Sequence, residues 1–365
     1  MKTVLIIRSL DISSDSRVQR YEKYFEKYQV SYTVLGWDRE NKNLKRKSTD
    51  YCTIQAGYNL GTGGIKYRIK WNIYVLKYLL KNKKNYDIIH ACDFDTILPA
   101  LVMKLFGKTV VFDIFDWFSD EVKTGKWFID YPINFMEKLA TKLADMTILC
   151  EEERIEQIQT IPRKYMIIPN IPTVDLTGIT CIPNVKGTPI TIAYVGGFYP
   201  DRGLIELLEV ISTMPTIQLK IAGFGNVEIE DKAREYAELH SNIEYYGKVE
   251  YNKAIEIMQS ADLLYAMYYT INRNNIYAAP NKFYEAIFLN KPIITTQKTL
   301  VGKKVQKHES GYVIEEGRDA LEKFLQKLSL EDIQSKKNTL IEYSSLYKDT
   351  AKESMEQYIT YIKNR

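Results

Sequence analysis

Histidine and cysteine are scarce in this chain, and long apolar runs are missing. Three histidines and four cysteines are spread over 365 residues. Cys52, Cys92, Cys150 and Cys181 lie far apart with no Cys-x-x-Cys pair, which argues against a zinc site. Free thiols fit a reducing cytoplasm. No uncharged apolar stretch approaches the ~18 residues of a spanning helix. The opening Met1-Lys2-Thr3-Val4-Leu5-Ile6-Ile7-Arg8 holds too short an apolar run for a signal peptide. The expectation is a cytoplasmic protein, with the inner face of the cell membrane as one place of work. Strong charge of either sign is also lacking. A net charge of +4 is too mild for nucleic-acid binding. Residues 1–185 carry 27 Lys/Arg against 22 Asp/Glu and the remainder 23 against 24, so positive charge gathers in the N-terminal half.

What is present is globular and repetitive in rhythm. The apolar share of 45% and charged share of 26% are those of a soluble fold, and the length calls for two domains. Short apolar runs alternate with longer helical patterns, the βαβ signature of parallel sheets covered on both faces. Strands are expected at 3–7, 31–35, 88–91, 109–113, 146–149 and 166–168, with helices at 16–28, 65–82, 98–106, 133–143 and 151–159. The Pro- and Thr-rich stretch 169–188 breaks the rhythm and reads as a linker. The pattern then restarts, with strands at 191–195, 217–222, 243–246, 263–267 and 292–296. Helices are expected at 204–212, 228–239, 251–259, 281–288 and throughout 330–365. The fold class is α/β: two Rossmann-like, doubly wound parallel-sheet domains facing a central cleft between their carboxyl strand ends, where ligands of such sheets bind.

One segment is the most informative: Ala278-Ala279-Pro280-Asn281-Lys282-Phe283-Tyr284-Glu285, running on to Asn290-Lys291-Pro292-Ile293-Ile294. Pro280 resists helix at the residue before it, and Asn281 is a good N-cap. A helix opening at a loop offers amide N–H groups and a positive dipole end to an anion. Lys282 adds charge, and Glu285 one turn in can accept from a diol such as a ribose. Upstream, Val195-Gly196-Gly197-Phe198-Tyr199-Pro200-Asp201-Arg202-Gly203 is a strand end, a tight turn and a helix start. It would put the planar guanidinium of Arg202, suited to phosphate, at the cleft mouth. Gly223-Phe224-Gly225 ends another strand and would let backbone approach a ligand, although Glu228 stands where a dinucleotide fingerprint has its third glycine. In the N-terminal half Asp15 is an N-cap, and His90, Asp93 and Asp116 are strand-end candidates for the cleft.

Together these segments resemble, in order along nearly the whole chain, the retaining family 4 glycosyltransferases of the GT-B fold. The resemblance implies an acceptor domain at 1–172, a linker at 173–188 that closes the cleft, a donor domain at 189–345, and a last helix, 346–365, crossing back to the first domain. It implies transfer of a sugar from a nucleotide-diphosphate sugar, UDP-sugar favoured, to a glycan or polyprenyl-linked glycan, with retention and without a metal or cofactor. The roles it implies are catalytic for Arg202, Lys282, His90 and Asp116. Donor contacts would come from Gly196, Gly197, Arg202, Gly223, Gly225, Lys248, Val249, Asn281, Lys282, Phe283 and Glu285. Asp15, Arg17 and Asp93 would face the acceptor, since Asp15-Ser16-Arg17-Val18 is similar to the Asp-Pro-Arg-Val of one family branch. The chain departs from the family pattern at three points. Gly197 replaces the first of two cations, Tyr277 stands where the first of two glutamates would be, and Phe115 occupies a position where relatives carry histidine.

Residues 65–84 hold seven basic and no acidic side chains around Trp71 and several tyrosines. Ile65, Ile69, Ile73, Leu76 and Leu80 form one helical stripe, expected to pack inward while the lysines face lipid head groups in a peripheral membrane contact. Polysaccharide assembly at the cell surface is the favoured setting. Two other readings stay open: a sugar-nucleotide epimerase of the same fold, and a catalytically weak sugar-nucleotide-binding subunit that supports a partner transferase.

Overall fold

The structure is a computed structural model that describes residues 2–13, 15–57, 64–172 and 189–365. The chain divides into two compact units, Met1–Asn170 with Thr350–Arg365, and Ile171–Asp349. Most of the linker stretch, 173–188, lies outside the described residues.

The first unit runs β1 (Thr3–Ile7), α1 (Ser16–Lys27), β2 (Ser31–Trp37), β3 (Thr49–Cys52), α2 (Ile65–Lys81), β4 (Ile88–Cys92) and α3 (Phe94–Val102). A 3-10 turn, Met103–Phe106, follows, then β5 (Thr109–Ile114), α4 (Phe118–Glu121), α5 (Trp127–Leu143), β6 (Met146–Leu149), α6 (Arg154–Ile158) and β7 (Tyr165–Ile167). Its seven strands stand in the order β3-β2-β1-β4-β5-β6-β7, all parallel. The order reverses between β1 and β4. The strands are apolar on both faces because helices cover both. Val4, Ile6 and Ile88 meet Tyr21 and Phe25 of α1 on one side. Leu5, Ile7 and Ile89 meet Trp71, Val75 and Leu79 of α2 on the other.

The second unit runs β8 (Ile190–Phe198), α7 (Leu204–Ile211), β9 (Ile217–Gly225), α8 (Val227–Leu239), β10 (Ile243–Tyr245), α9 (Tyr251–Gln259) and β11 (Leu263–Tyr265). It continues with α10 (Arg273–Ile276), α11 (Asn281–Phe288), β12 (Ile293–Thr296), α12 (Leu300–Lys307), β13 (Gly311–Ile314), α13 (Arg318–Leu325) and α14 (Leu330–Lys363). Its sheet is β10-β9-β8-β11-β12-β13, again parallel throughout, with the reversal between β8 and β11. Residues 350–363 of α14 belong to the first unit, where Met355, Tyr358, Ile359 and Ile362 complete the layer on α1.

Three local expectations are corrected. The N-cap of α11 is Pro280, with extended backbone and no side-chain cap bond, so Asn281 is the first helical residue. Helix 98–106 is α3 starting four residues earlier, with the 3-10 turn behind it. The third correction concerns α2. Its stripe Ile65, Ile69 and Ile73 does not pack inward; it is exposed at 40, 55 and 51%. The buried face is Trp71, Val75 and Leu79, because the Trp71 indole stacks flat on Trp37 with centroids 4.9 Å apart. The helix carries two apolar stripes, and the one with the larger aromatic area takes the core.

Candidate functional site

In the second unit the expected donor residues gather at the carboxyl ends of β8, β9 and β11. Arg202 lies in the short 3-10 turn Pro200–Arg202 after β8. Gly203 follows in left-handed conformation at φ +64°, and a Cβ there would meet the Tyr265 hydroxyl at 2.7 Å, so only glycine fits. Arg202 is half-buried. Its Nη1 donates to Asn275 Oδ1 at 2.7 Å, and its guanidinium lies over the Tyr268 ring at 4.4 Å. Asn275 is buried and fixed in turn: its Nδ2 donates to Asp201 Oδ2 at 2.7 Å and to the Tyr269 carbonyl at 2.9 Å. Sequence reasoning missed both Asn275 and Tyr268. They belong to no motif, and only the chain path after β11 brings them to Arg202.

Tyr268 is buried under the Arg202 guanidinium. Its hydroxyl, pushed up to about 12 by burial, senses both the Arg202 charge, which lowers it, and Glu285, which raises it. Glu285 is buried and accepts from Lys282 Nζ at 2.5 Å and from the Tyr251 hydroxyl at 3.2 Å. Lys282 is thus turned along its own helix to Glu285, not outward as expected. Each carboxylate oxygen keeps a second lone-pair direction, so Glu285 can still accept from a diol. The first turn of α11 presents the positive end of the helix dipole. The Phe283 amide bonds back to the Pro280 carbonyl at 3.2 Å, and the Phe283 ring packs into the core against Tyr284 and Tyr347.

The glycines divide. A Cβ on Gly196 would meet nothing within 4 Å, so the end of β8 is open there, while one on Gly197 would strike the Tyr199 ring. A Cβ on Gly223 would sit 1.9 Å from the Gly196 carbonyl oxygen, and one on Gly225 2.5 Å from that of Phe198. These two glycines let β9 lie against β8 in register, which corrects the expectation that they make way for a ligand. Lys248 is exposed, with its ammonium 4.5 Å from the Phe224 ring centroid, and half-buried Val249 follows it. Tyr277 caps the end of α10.

In the first unit the strand ends hold ion pairs. Asp15 caps α1 by accepting from Val18 N at 3.0 Å, and it also accepts from Arg8 Nε at 2.8 Å. Arg8 pairs as well with Asp93, whose backbone is left-handed and whose Oδ1 accepts from Phe115 N at 2.8 Å. Burial raises the Asp93 carboxyl to about 6 against the pull of Arg8, and neighbouring Asp116 adds to the rise. Asp116 is largely exposed and meets Arg154 at 3.2 Å. Burial alone would also raise Asp113, but Arg17 and His90 outweigh it and hold that carboxyl well below the usual range.

Two expected site residues are structural instead. Arg17 is buried and forks onto Asp113 with contacts of 3.1 and 2.6 Å, its remaining nitrogen donating to the Ile168 carbonyl and Asn170. His90 is fully buried, with Nδ1 2.5 Å from the Tyr358 hydroxyl and Nε2 3.1 Å from Asp113. Both nitrogens are engaged, so it is not a surface acid or base. His90, Cys92 and Asp113 bring their donor atoms within 4.8 Å of one another. Arg17 forks onto the carboxylate of the three, and burial pushes the Cys92 thiol well up. Sequence reasoning also missed Glu121, raised to about 7, and Glu137, raised to about 8, both chiefly by burial.

Residues 182–346 match the family model described as glycosyl transferases group 1, which makes most of the second unit a glycosyltransferase domain. No curated protein matches by sequence. Many solved structures share the fold. Sucrose-phosphate synthase from Thermosynechococcus elongatus is 14% identical, covers 100% of both chains and has a TM-score of 0.77. Anabaena HepE, solved in complex with UDP and glucose, is 12% identical over 100% of both chains at a TM-score of 0.72. WaaG, a glycosyltransferase involved in lipopolysaccharide biosynthesis, is 17% identical over 96% of this chain and 98% of its own, at 0.69. The two parallel-sheet units are those of the GT-B fold class.

Proposed function

We propose that this chain transfers a sugar from a nucleotide-diphosphate sugar, with a UDP-sugar as donor, to a glycan or lipid-linked glycan in cell-surface polysaccharide assembly. The observation that carries this reading is the placement of Arg202, aimed by Asn275 and Tyr268, at the point where the strand order of the second unit reverses. Ligands of doubly wound sheets bind at such points. Arg202 leans on neutral partners, so its charge is available to the diphosphate. Glu285, held by Lys282 and Tyr251, is placed to accept from the ribose. The UDP held by HepE, of the same fold, favours uridine.

In the reaction the bond from the anomeric carbon to the diphosphate oxygen breaks, and the acceptor oxygen bonds to that carbon on the same face. The acceptor hydroxyl passes its proton to the departing diphosphate oxygen as that oxygen takes the bonding pair. Negative charge grows on the leaving group. Arg202, Lys282 and the first turn of α11 stabilise that growth electrostatically, in the place a metal would otherwise fill. Lys282 reaches the diphosphate by exchanging Glu285 for it, and Glu285 then turns to the ribose. Retention and family 4 membership rest on the order of motifs from Asp15 to Glu285.

A thermal-shift panel of UDP, GDP, TDP, ADP and NAD tests the reading. UDP should raise the midpoint and NAD should not. A ligand at 100 times its dissociation constant adds about 2.7 kcal/mol to stability. An equal shift in Arg202→Ala would remove the diphosphate assignment. Free nucleotide released only when acceptor is present would separate transfer from epimerisation.

A further inference from the structure

The first unit leaves a broad apolar face uncovered. On α5 the inward side is Glu137, Ala140 and Thr141. The opposite side, at helical spacing, is Phe128, Tyr131, Phe135 and Leu139, each between 40 and 71% exposed. Trp127 in the first turn is 79% exposed. A helix that is apolar all round is ordinarily buried by something. Beside it the exposed stripe of α2 lines a trough of about 510 Å³, whose α5 wall is Ile129 and Ile133, with Phe94, Leu98 and Phe118 between. Leu105 and Phe106 of the 3-10 turn extend the apolar surface. Contiguous apolar area of this kind marks an interaction site.

Charge identifies the occupant. Residues 65–84 carry seven basic and no acidic side chains, and 103–108 two basic and none acidic. Residues 126–143 carry three basic side chains against Asp130 and Glu137. Glu137 is buried under Phe118 and Ser119, and Asp130 accepts from the Thr124 and Gly125 amides. Residues 116–123, whose Phe118 and Val122 line the trough, carry Asp116, Asp120 and Glu121 against Lys123. Across these segments thirteen basic side chains stand against five acidic, so the rim is cationic on balance. A second copy of this chain would set that rim against itself, which like charge opposes.

We propose that this face docks on an anionic lipid bilayer. The Phe128–Leu139 side of α5 and the isoleucines of α2 enter the boundary between head groups and acyl chains. The lysines beside them meet lipid phosphates. Trp127 and Tyr131 have the amphipathic rings that settle at this depth. No helix among the described residues is long and apolar enough to cross a membrane, so the contact is peripheral. The docking surface belongs wholly to the first unit and does not rest on the transfer reaction.

The full chain is mixed with vesicles of phosphatidylglycerol and phosphatidylcholine, or of phosphatidylcholine alone, and binding is read by co-sedimentation. Intrinsic fluorescence gives a second readout: of the four tryptophans, Trp37, Trp71 and Trp117 are buried, so a blue shift reports Trp127. Binding and blue shift are expected with the anionic vesicles only, and Trp127→Phe should abolish the shift. The double variant Phe128→Ser, Phe135→Ser should bind roughly 100-fold more weakly. The triple variant Lys66→Glu, Lys70→Glu, Lys77→Glu should lose at least about 100-fold. All these positions are exposed or half-buried, so unfolding midpoints should hold and give the control. Equal binding to neutral vesicles, or unchanged binding by the two-serine variant, overturns the proposal. So does a concentration-dependent dimer by light scattering that the two-serine variant abolishes.

Discussion

The arginines at the strand ends of the two units are held in opposite ways. In the first unit three meet carboxylates: Arg8 lies between Asp15 and Asp93, Arg17 forks onto buried Asp113, and Arg68 pairs with Asp95, while Arg39 after β2 lies over the Trp37 ring. In the second, Arg202 leans on the amide of Asn275 and the ring of Tyr268, both neutral. A guanidinium neutralised by a buried acid fixes the shape of its surroundings and has little charge left to offer. One oriented by neutral groups is equally well aimed and keeps its field for an incoming anion. The same side chain is scaffold in one sheet and, in the function proposed above, anion receptor in the other.

Breaking the contrast from the second unit should give the largest effect. Arg202→Ala is expected to lower turnover about 10²–10³-fold, the scale of one lost transition-state donor, while circular dichroism and the ligand-free unfolding midpoint stay near wild type. A collapse of the fold would mean that this arginine, too, is scaffold. Arg17→Met should do the reverse. Removing the cation from buried Asp113, which keeps only His90 and the Tyr21 hydroxyl, costs about 3–5 kcal/mol, read as a lower urea midpoint, with turnover per folded molecule unchanged. Asn275→Ala sharpens the comparison, since it removes the aim and leaves the charge. Losing a hydrogen bond to a charged group is worth about 1.5–3 kcal/mol, so turnover should fall by about tenfold or more, with a partial loss of the UDP-induced thermal shift.

The smallest effect is one of pH, and it should trace to the first unit. Burial raises Glu137 from 4.5 to about 8. The folded chain then binds a proton that the unfolded chain has released, so this group's contribution to stability is full below about pH 4.5 and is lost as pH climbs toward 8. Unfolding midpoints measured from pH 5 to 8 should decline, and Glu137→Gln should flatten the slope. An equal slope in that variant would move the effect to another group.

Strands were legible wherever both faces are buried. The runs at 3–7, 109–113 and 146–149 are predominantly apolar on both faces, as sheets with helices on two sides require. The edge strands Thr49–Cys52 and Gly311–Ile314 escaped, because an edge strand with exposed positions carries no such run. The α11 segment was legible because proline, lysine and glutamate act through local backbone geometry. Asn275 and Tyr268 were not, since their meaning lies in a contact some seventy residues away in the chain. His90 and Arg17 were misread for the opposite reason. A polar residue at a strand end looks the same in sequence whether it faces solvent or an internal acid such as Asp113. The α2 stripe shows the limit of periodicity, which finds apolar faces and cannot rank two on one helix.

The last helix has a consequence for how the molecule is made. Tyr358, Ile359 and Ile362 stand in the same layer as Val4 and Ile6. A ribosome delivers those two ends hundreds of residues apart in time. The half of the protein synthesised first therefore keeps an unsealed wall, with the His90 imidazole waiting for its phenol, until residues 350–365 emerge. The half synthesised second can close around its own sheet before that moment, so the order of completion inverts the order of translation.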